Sequence, residues 1–196
     1  MRTVFPCTVF PGLLVAFALF GCGKFGPPLP PEMLSPRAVR SLVVSGIAAG
    51  VKLSWESPEA DLRAKELKSM NAYLVCRKQL DGKADALDQE VPFKTIANIN
   101  DGHIIERDRL RQEARLAGKP SHRVKVDPAM LKFEYLDKDV KLGSSYLYQI
   151  VPVNQGDVEG EIRQTARVLF KAESTEIDIL EDANVPADAV IGEEGL

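Results

Sequence analysis

Two histidines, three cysteines and one tryptophan in 196 residues leave little from which to build familiar chemistry. His103 and His122 do not stand in metal-ligand spacing with each other or with a cysteine, so no zinc site is expected. The chain has no Gly-x-Ser-x-Gly, no glycine-rich phosphate loop and no His-Glu-x-x-His. Carboxylates are plentiful, but no spacing singles out an acid/base pair. The expectation is a protein that is not an enzyme and has no metal and no cofactor. Apolar length is short too. Residues 4–20 fall below the ~20 residues that cross a bilayer, and Pro6 and Pro11 each remove a helix hydrogen bond from the run. Basic residues are missing altogether from residues 172–196, which carry eight acidic ones. The formal charge of −3 therefore combines an acidic tail with a mildly basic body. That body is too weakly and diffusely charged to imply nucleic acid.

What is present begins with an address. Arg2, the apolar run and small Gly21 before Cys22 have the order of a secretory signal. The stretch Leu19-Phe20-Gly21-Cys22 resembles the lipobox of bacterial lipoproteins. The resemblance implies acylation of the Cys22 thiol, removal of residues 1–21, and a membrane partner reached through two or more acyl chains, palmitate among them. About 175 residues would remain, enough for one domain with extensions. With Cys7 removed and Cys22 lipidated, Cys76 would be alone. A lone cysteine is expected to be a small buried apolar residue rather than a reactive thiol.

Residues 22–36 follow as a lipidated tether. Five prolines within residues 23–36 prevent helix and favour polyproline II, which at ~3.1 Å per residue spans up to ~40 Å. Alternation then predicts strands. Val51, Leu53 and Trp55 share one face of residues 50–56, with Lys52, Ser54 and Glu56 on the other. Further strands are expected at 39–44, 72–77, 93–99, 131–136, 145–154 and 164–171, and the fourth opposes Phe93, Thr95 and Ala97 to Lys94, Ile96 and Asn98. Residues 61–70 read as a long loop with one helical turn. Residues 101–127 break the rhythm with a charged, mostly exposed helix ended by Gly118 and Pro120. Arg109 and Glu113 fall at i,i+4 within it. Its Arg107, Arg109, Arg111 and Arg115 are the candidate anion-binding residues. Residues 173–196, acidic and without aromatics, are expected to stay disordered.

Seven short strands make an all-β sandwich with one helical insertion and disordered termini. The stretches Val51-x-Leu53-x-Trp55, Tyr73-x-Val75-x-Arg77 and Val140-x-Leu142-Gly143-Ser144-x-Tyr146-x-Tyr148-x-Ile150-x-Pro152-Val153-Asn154 resemble a fibronectin type III domain over residues 37–172. The resemblance implies a core of Trp55, Tyr73, Val75, Tyr146, Tyr148 and Ile150, with Tyr146 at the tyrosine corner. Leu142 stands where that family often has proline, Pro152 where it often has alanine, and the 101–127 insertion has no counterpart. Cys22-Gly23-Lys24-x-Gly26-Pro27-Pro28 leading into such a domain is similar to small fibronectin type III lipoproteins of diderm bacteria. That similarity implies a periplasmic or outer-membrane location without established chemistry. The preferred functional expectation is a lipid-anchored scaffold in the cell envelope that binds another protein. The alternative is a receptor for an anionic envelope glycan or lipid, gripped by the four arginines.

Overall fold

The computed structural model describes residues 30–80 and 92–180. The leader, Cys22 with residues 23–29 of the tether, residues 81–91 and residues 181–196 lie outside the described residues. A short 3-10 turn, Pro31–Leu34, leads into β1 (Arg40–Ile47), β2 (Gly50–Glu56), β3 (Ala72–Leu80) and β4 (Lys94–Asn100). Helix α1 (His103–Leu116) comes next, then β5 (Lys132–Asp137), β6 (Ser145–Val153), β7 (Thr165–Leu169) and β8 (Glu176–Leu180). Three strands in the order β1-β2-β5 face five in the order β4-β3-β6-β7-β8, and every pairing is antiparallel. The described residues form a fibronectin type III-like β-sandwich with one helix inserted and one strand added at an edge.

The alternation in β2 explains its face assignment. Val51, Leu53 and Trp55 are sealed inside, while Lys52 and Glu56 reach outward to Glu134 and to Arg40 and Lys132 of the neighbouring strands. Trp55 sits edge-on to Tyr73, with ring centroids 5.6 Å apart, and stacks on Phe133 at 6.1 Å. Tyr73, Val75, Tyr146, Tyr148 and Ile150 complete the other wall of the same core. Truncating a buried aromatic such as Trp55 to alanine costs about 3–5 kcal/mol.

Three local expectations are corrected. In β4 the alternation changes phase because β3 pairs Val75 with Ala97 but Cys76 with Thr95, which leaves Ile96 as the extra residue of a bulge. Ile96 joins Ala97 and Ile99 against the core instead of pointing away with Lys94. Residues 61–70 contain no helical turn. The Asp61 carboxylate accepts from the backbone N–H groups of Arg63 and Lys65 and holds the segment as a turn. The sheet also runs past the boundary expected at residue 172. Glu176–Leu180 pairs with β7, Val168 opposite Ile177, and Ile177 packs on the core despite its acidic neighbours.

Gly46 makes that extra strand feasible. A Cβ there would lie 2.0 Å from Thr175 Oγ1 and 2.4 Å from the Ala172 carbonyl oxygen, so only glycine lets the turn before β8 press against the end of β1.

Candidate interaction surface

Helix α1 is seated on the sandwich by one buried carboxylate. Asp101 Oδ1 accepts from the His103 backbone N–H at 2.9 Å and lies 2.7 Å from His103 Nδ1. Asp101 Oδ2 accepts from the Tyr73 hydroxyl at 2.6 Å and from Ser57 Oγ at 3.4 Å. The N-cap residue itself is Gly102, which has no side chain to cap with, so Asp101 satisfies an otherwise open helix N–H in its place. Ile104 then enters the core. At the other end Gly118 takes the left-handed conformation (φ 67°) and Lys119 N–H donates to Ala114 O at 2.8 Å, before Pro120 prevents any continuation.

Serine, histidine and aspartate together invite comparison with a nucleophilic triad, but the geometry is different. Ser57 Oγ and Asp101 Oδ1 both approach the same ring nitrogen, Nδ1, at 3.4 and 2.7 Å. A triad places the nucleophile and the carboxylate on opposite nitrogens of the ring. Here the cluster acts as a peg. Burial first, and then the Asp101 charge, push the Tyr73 hydroxyl far above the ordinary tyrosine range, so it remains a donor.

The four candidate arginines all lie within α1, and all four have partners. Arg107 donates Nη1 to the Leu67 carbonyl at 2.8 Å and to Glu66 Oε1 at 3.2 Å, and Arg111 Nη2 meets the same Glu66 oxygen at 2.6 Å. Arg109 grips Glu106 through Nε and Nη2 at 2.8 and 2.7 Å, and its Nη1 pairs with Glu113. Arg115 Nε reaches Ser121 Oγ at 3.4 Å. Arg111, against burial and aided by the charge of Arg107, holds the Glu66 carboxyl below its usual range. The expected i,i+4 pair is present, and the cross-link to the 59–70 loop adds an anchor that helical spacing alone does not reveal. Beside exposed polar residues such as Asp108, Gln112 and Glu113, α1 also bares two apolar side chains: Ile105 is 61% and Leu116 82% exposed. Eleven residues apart, they lie on one face of the helix.

A second polar cluster rivets the two sheets. Arg77 donates to Asp137 Oδ2 at 2.7 Å and to Asp139 Oδ2 at 3.0 Å, and the Tyr148 hydroxyl donates to Asp137 Oδ2 at 2.8 Å. The guanidinium lies over the Tyr146 ring, 5.4 Å from its centroid. Tyr146 Oη accepts from the Lys141 N–H at 2.8 Å, the backbone return implied for the tyrosine corner. Cys76 is buried beside Thr95, and burial pushes its thiol up. His122 is exposed in the 3-10 turn Ser121–Arg123. Among the described residues no three histidine, cysteine or acidic side chains come together as a metal would require.

No family model matches this chain, and no curated protein does. Among solved structures it is similar to the "Twitchin kinase region from C.elegans (Fn31-NL-kin-CRD-Ig26)", with 14% identity and a TM-score of 0.40. That likeness takes in 71% of this chain and 17% of the twitchin chain, and is too slight to carry any activity across. No helix among the described residues is long and apolar enough to cross a membrane.

Proposed function

We propose that the chain is a lipid-anchored protein of the cell envelope, held at the outer membrane through acylated Cys22, and that its sandwich works by contact with another protein and not by catalysis. The anchor rests on the lipobox-like residues 19–22 and on the prolines that follow them. The contact reading rests on α1, whose Arg107, Arg109 and Arg111 are engaged with carboxylates while Ile105 and Leu116 stay uncovered on one face. An anionic glycan or lipid on Arg107, Arg109 and Arg111 would first have to displace Glu66, Glu106 and Glu113. Exposed apolar side chains beside satisfied polar ones suit a protein partner better.

Two measurements test the two halves separately. Cells fed labelled palmitate should incorporate it into the wild-type chain and not into Cys22→Ser, and equal labelling would overturn the anchor. Photo-crosslinkers at positions 105 and 116 should capture one discrete protein, and Ile105→Asp with Leu116→Asp should abolish capture. Indifference to both substitutions would remove α1 from the interface. Salt-sensitive recovery of envelope glycan, abolished by Arg107→Gln and Arg111→Gln, would favour the receptor alternative.

A further inference from the structure

Where the chain enters the sandwich, the turn at residues 31–34 stands away from the loops at 61–69 and 154–158, and a cavity of about 430 Å³ opens between them. That volume lies within the range of small-ligand sites. Pro31, Leu34 and Val158 give it an apolar wall.

The polar wall combines donors with one paired carboxylate, Asp61. Asn154 is only 5% exposed, and its Oδ1 accepts from Gly156 N–H at 2.8 Å and Val158 N–H at 3.0 Å. Those two bonds fix which way the carboxamide faces. Its Nδ2 then has no hydrogen-bond partner among the described residues, yet it is not one of the sealed polar atoms that lack partners, which include Ser35 Oγ and Arg37 Nε. Its two N–H groups therefore open onto the cavity that Asn154 lines.

Charge specifies the acceptor. Asp61 and Arg63 on the same wall cancel, with Arg63 Nη2 2.6 Å from Asp61 Oδ2. Burial works to raise the Asp61 carboxyl, but Arg63 and two backbone amides outweigh it, so the group stays ionised and paired. Lys68 is exposed, lies near enough to Glu66 to help lower that carboxyl, and supplies the remaining positive charge of the cavity lining. Ser69 Oγ accepts from Gln155 N–H at 3.0 Å, leaving its own proton to donate.

We propose that this cavity binds an amphipathic anion, an oxyanion carried on a short apolar chain, with Asn154 Nδ2 and Lys68 holding the charged end and Leu34 and Val158 the chain. The site is separate from α1 and does not depend on the protein-contact reading. Titration of the purified chain with octyl phosphate, kept below its micellar concentration, should show binding at least ten-fold tighter than with inorganic phosphate or neutral octyl glucoside. Lys68→Gln and Asn154→Asp should each weaken it at least five-fold. The aspartate keeps the acceptor for Gly156 and Val158, and Lys68→Gln alters only an exposed side chain, so at least one variant reports on a folded protein. Sedimentation with vesicles of phosphatidylglycerol, against phosphatidylcholine, identifies the source. Retention that Asn154→Asp removes points to a membrane lipid, and binding of octyl phosphate alone points to a free amphiphile. Equal affinity for all three soluble probes, no binding of any, or wild-type affinity in both variants would overturn the proposal.

Discussion

Replacing Tyr73 with phenylalanine removes one oxygen atom from the seat of α1 and leaves the ring where it is, still 4.6 Å from the centroid of Phe133 and edge-on to Trp55. The lost bond is short, 2.6 Å, fully buried and made to a carboxylate. Such bonds contribute about 1.5–3 kcal/mol. The upper part of that range applies here, because Asp101 Oδ2 would keep only the 3.4 Å approach of Ser57. About 2.5 kcal/mol in a domain of this size lowers Tm by roughly 10 °C. Chemical denaturation should return the same loss with an unchanged m-value, and amide exchange should speed up first at His103, whose N–H shares the carboxylate. Tyr146→Phe is the matched control, since its oxygen only accepts from a part-buried backbone N–H and should cost about 1 kcal/mol. A Tyr73→Phe loss below about 0.5 kcal/mol would refute the reasoning, because it would mean that water solvates Asp101 as well as the hydroxyl does.

Other outcomes follow from the same geometry. Gly46→Ala should cost about 1–3 kcal/mol through collision with the 172–175 turn, and limited proteolysis should then cut within residues 172–180. Native Cys76 should resist a thiol reagent at pH 8 and react fully once the chain is unfolded, since burial pushes the thiol up. Tyr73 and Tyr148 have folded pKa values raised by burial and by Asp101 and Asp137 respectively. Their contribution is intact below the unfolded value of about 10 and declines as pH climbs above it, so both phenylalanine variants should show a shallower alkaline loss of stability. Glu66 is shifted the other way. Its hold on Arg107 and Arg111 is present above about pH 4.3 and is lost as pH falls through its lower folded value, which exchange in α1 would report.

The strands were legible because each of them is a local pattern. Val51, Leu53 and Trp55 recur every second residue, and so do Tyr73 and Val75. Ile96 was misread because a bulge is a property of two strands, and nothing within residues 93–99 signals it. β8 was hidden by composition. Its acidic residues suggested solvation, whereas Ile177 opposite Val168 provides the burial that orders it. The arginines divide along the same line. Glu113 is four residues from Arg109 and was visible, while Glu66 is 41 residues from Arg107 and was not. The Asp101 peg draws on three separate stretches through Ser57, Tyr73 and His103, so no window of sequence contains it.

The pairing of β3 with β6 has a consequence for how the chain reaches this state. Leu80 pairs with Ser145 and Ala72 with Val153, so the central seam closes a loop that contains β4, the whole of α1 and β5. The β1–β2 hairpin can form as soon as residue 56 exists, but the seam must wait for the second half of the domain. Distant pairings of this kind slow folding. During that interval Tyr73-Leu74-Val75-Cys76 presents an apolar run with its β6 edge open, and it is there that two nascent copies would first mistake each other for β6.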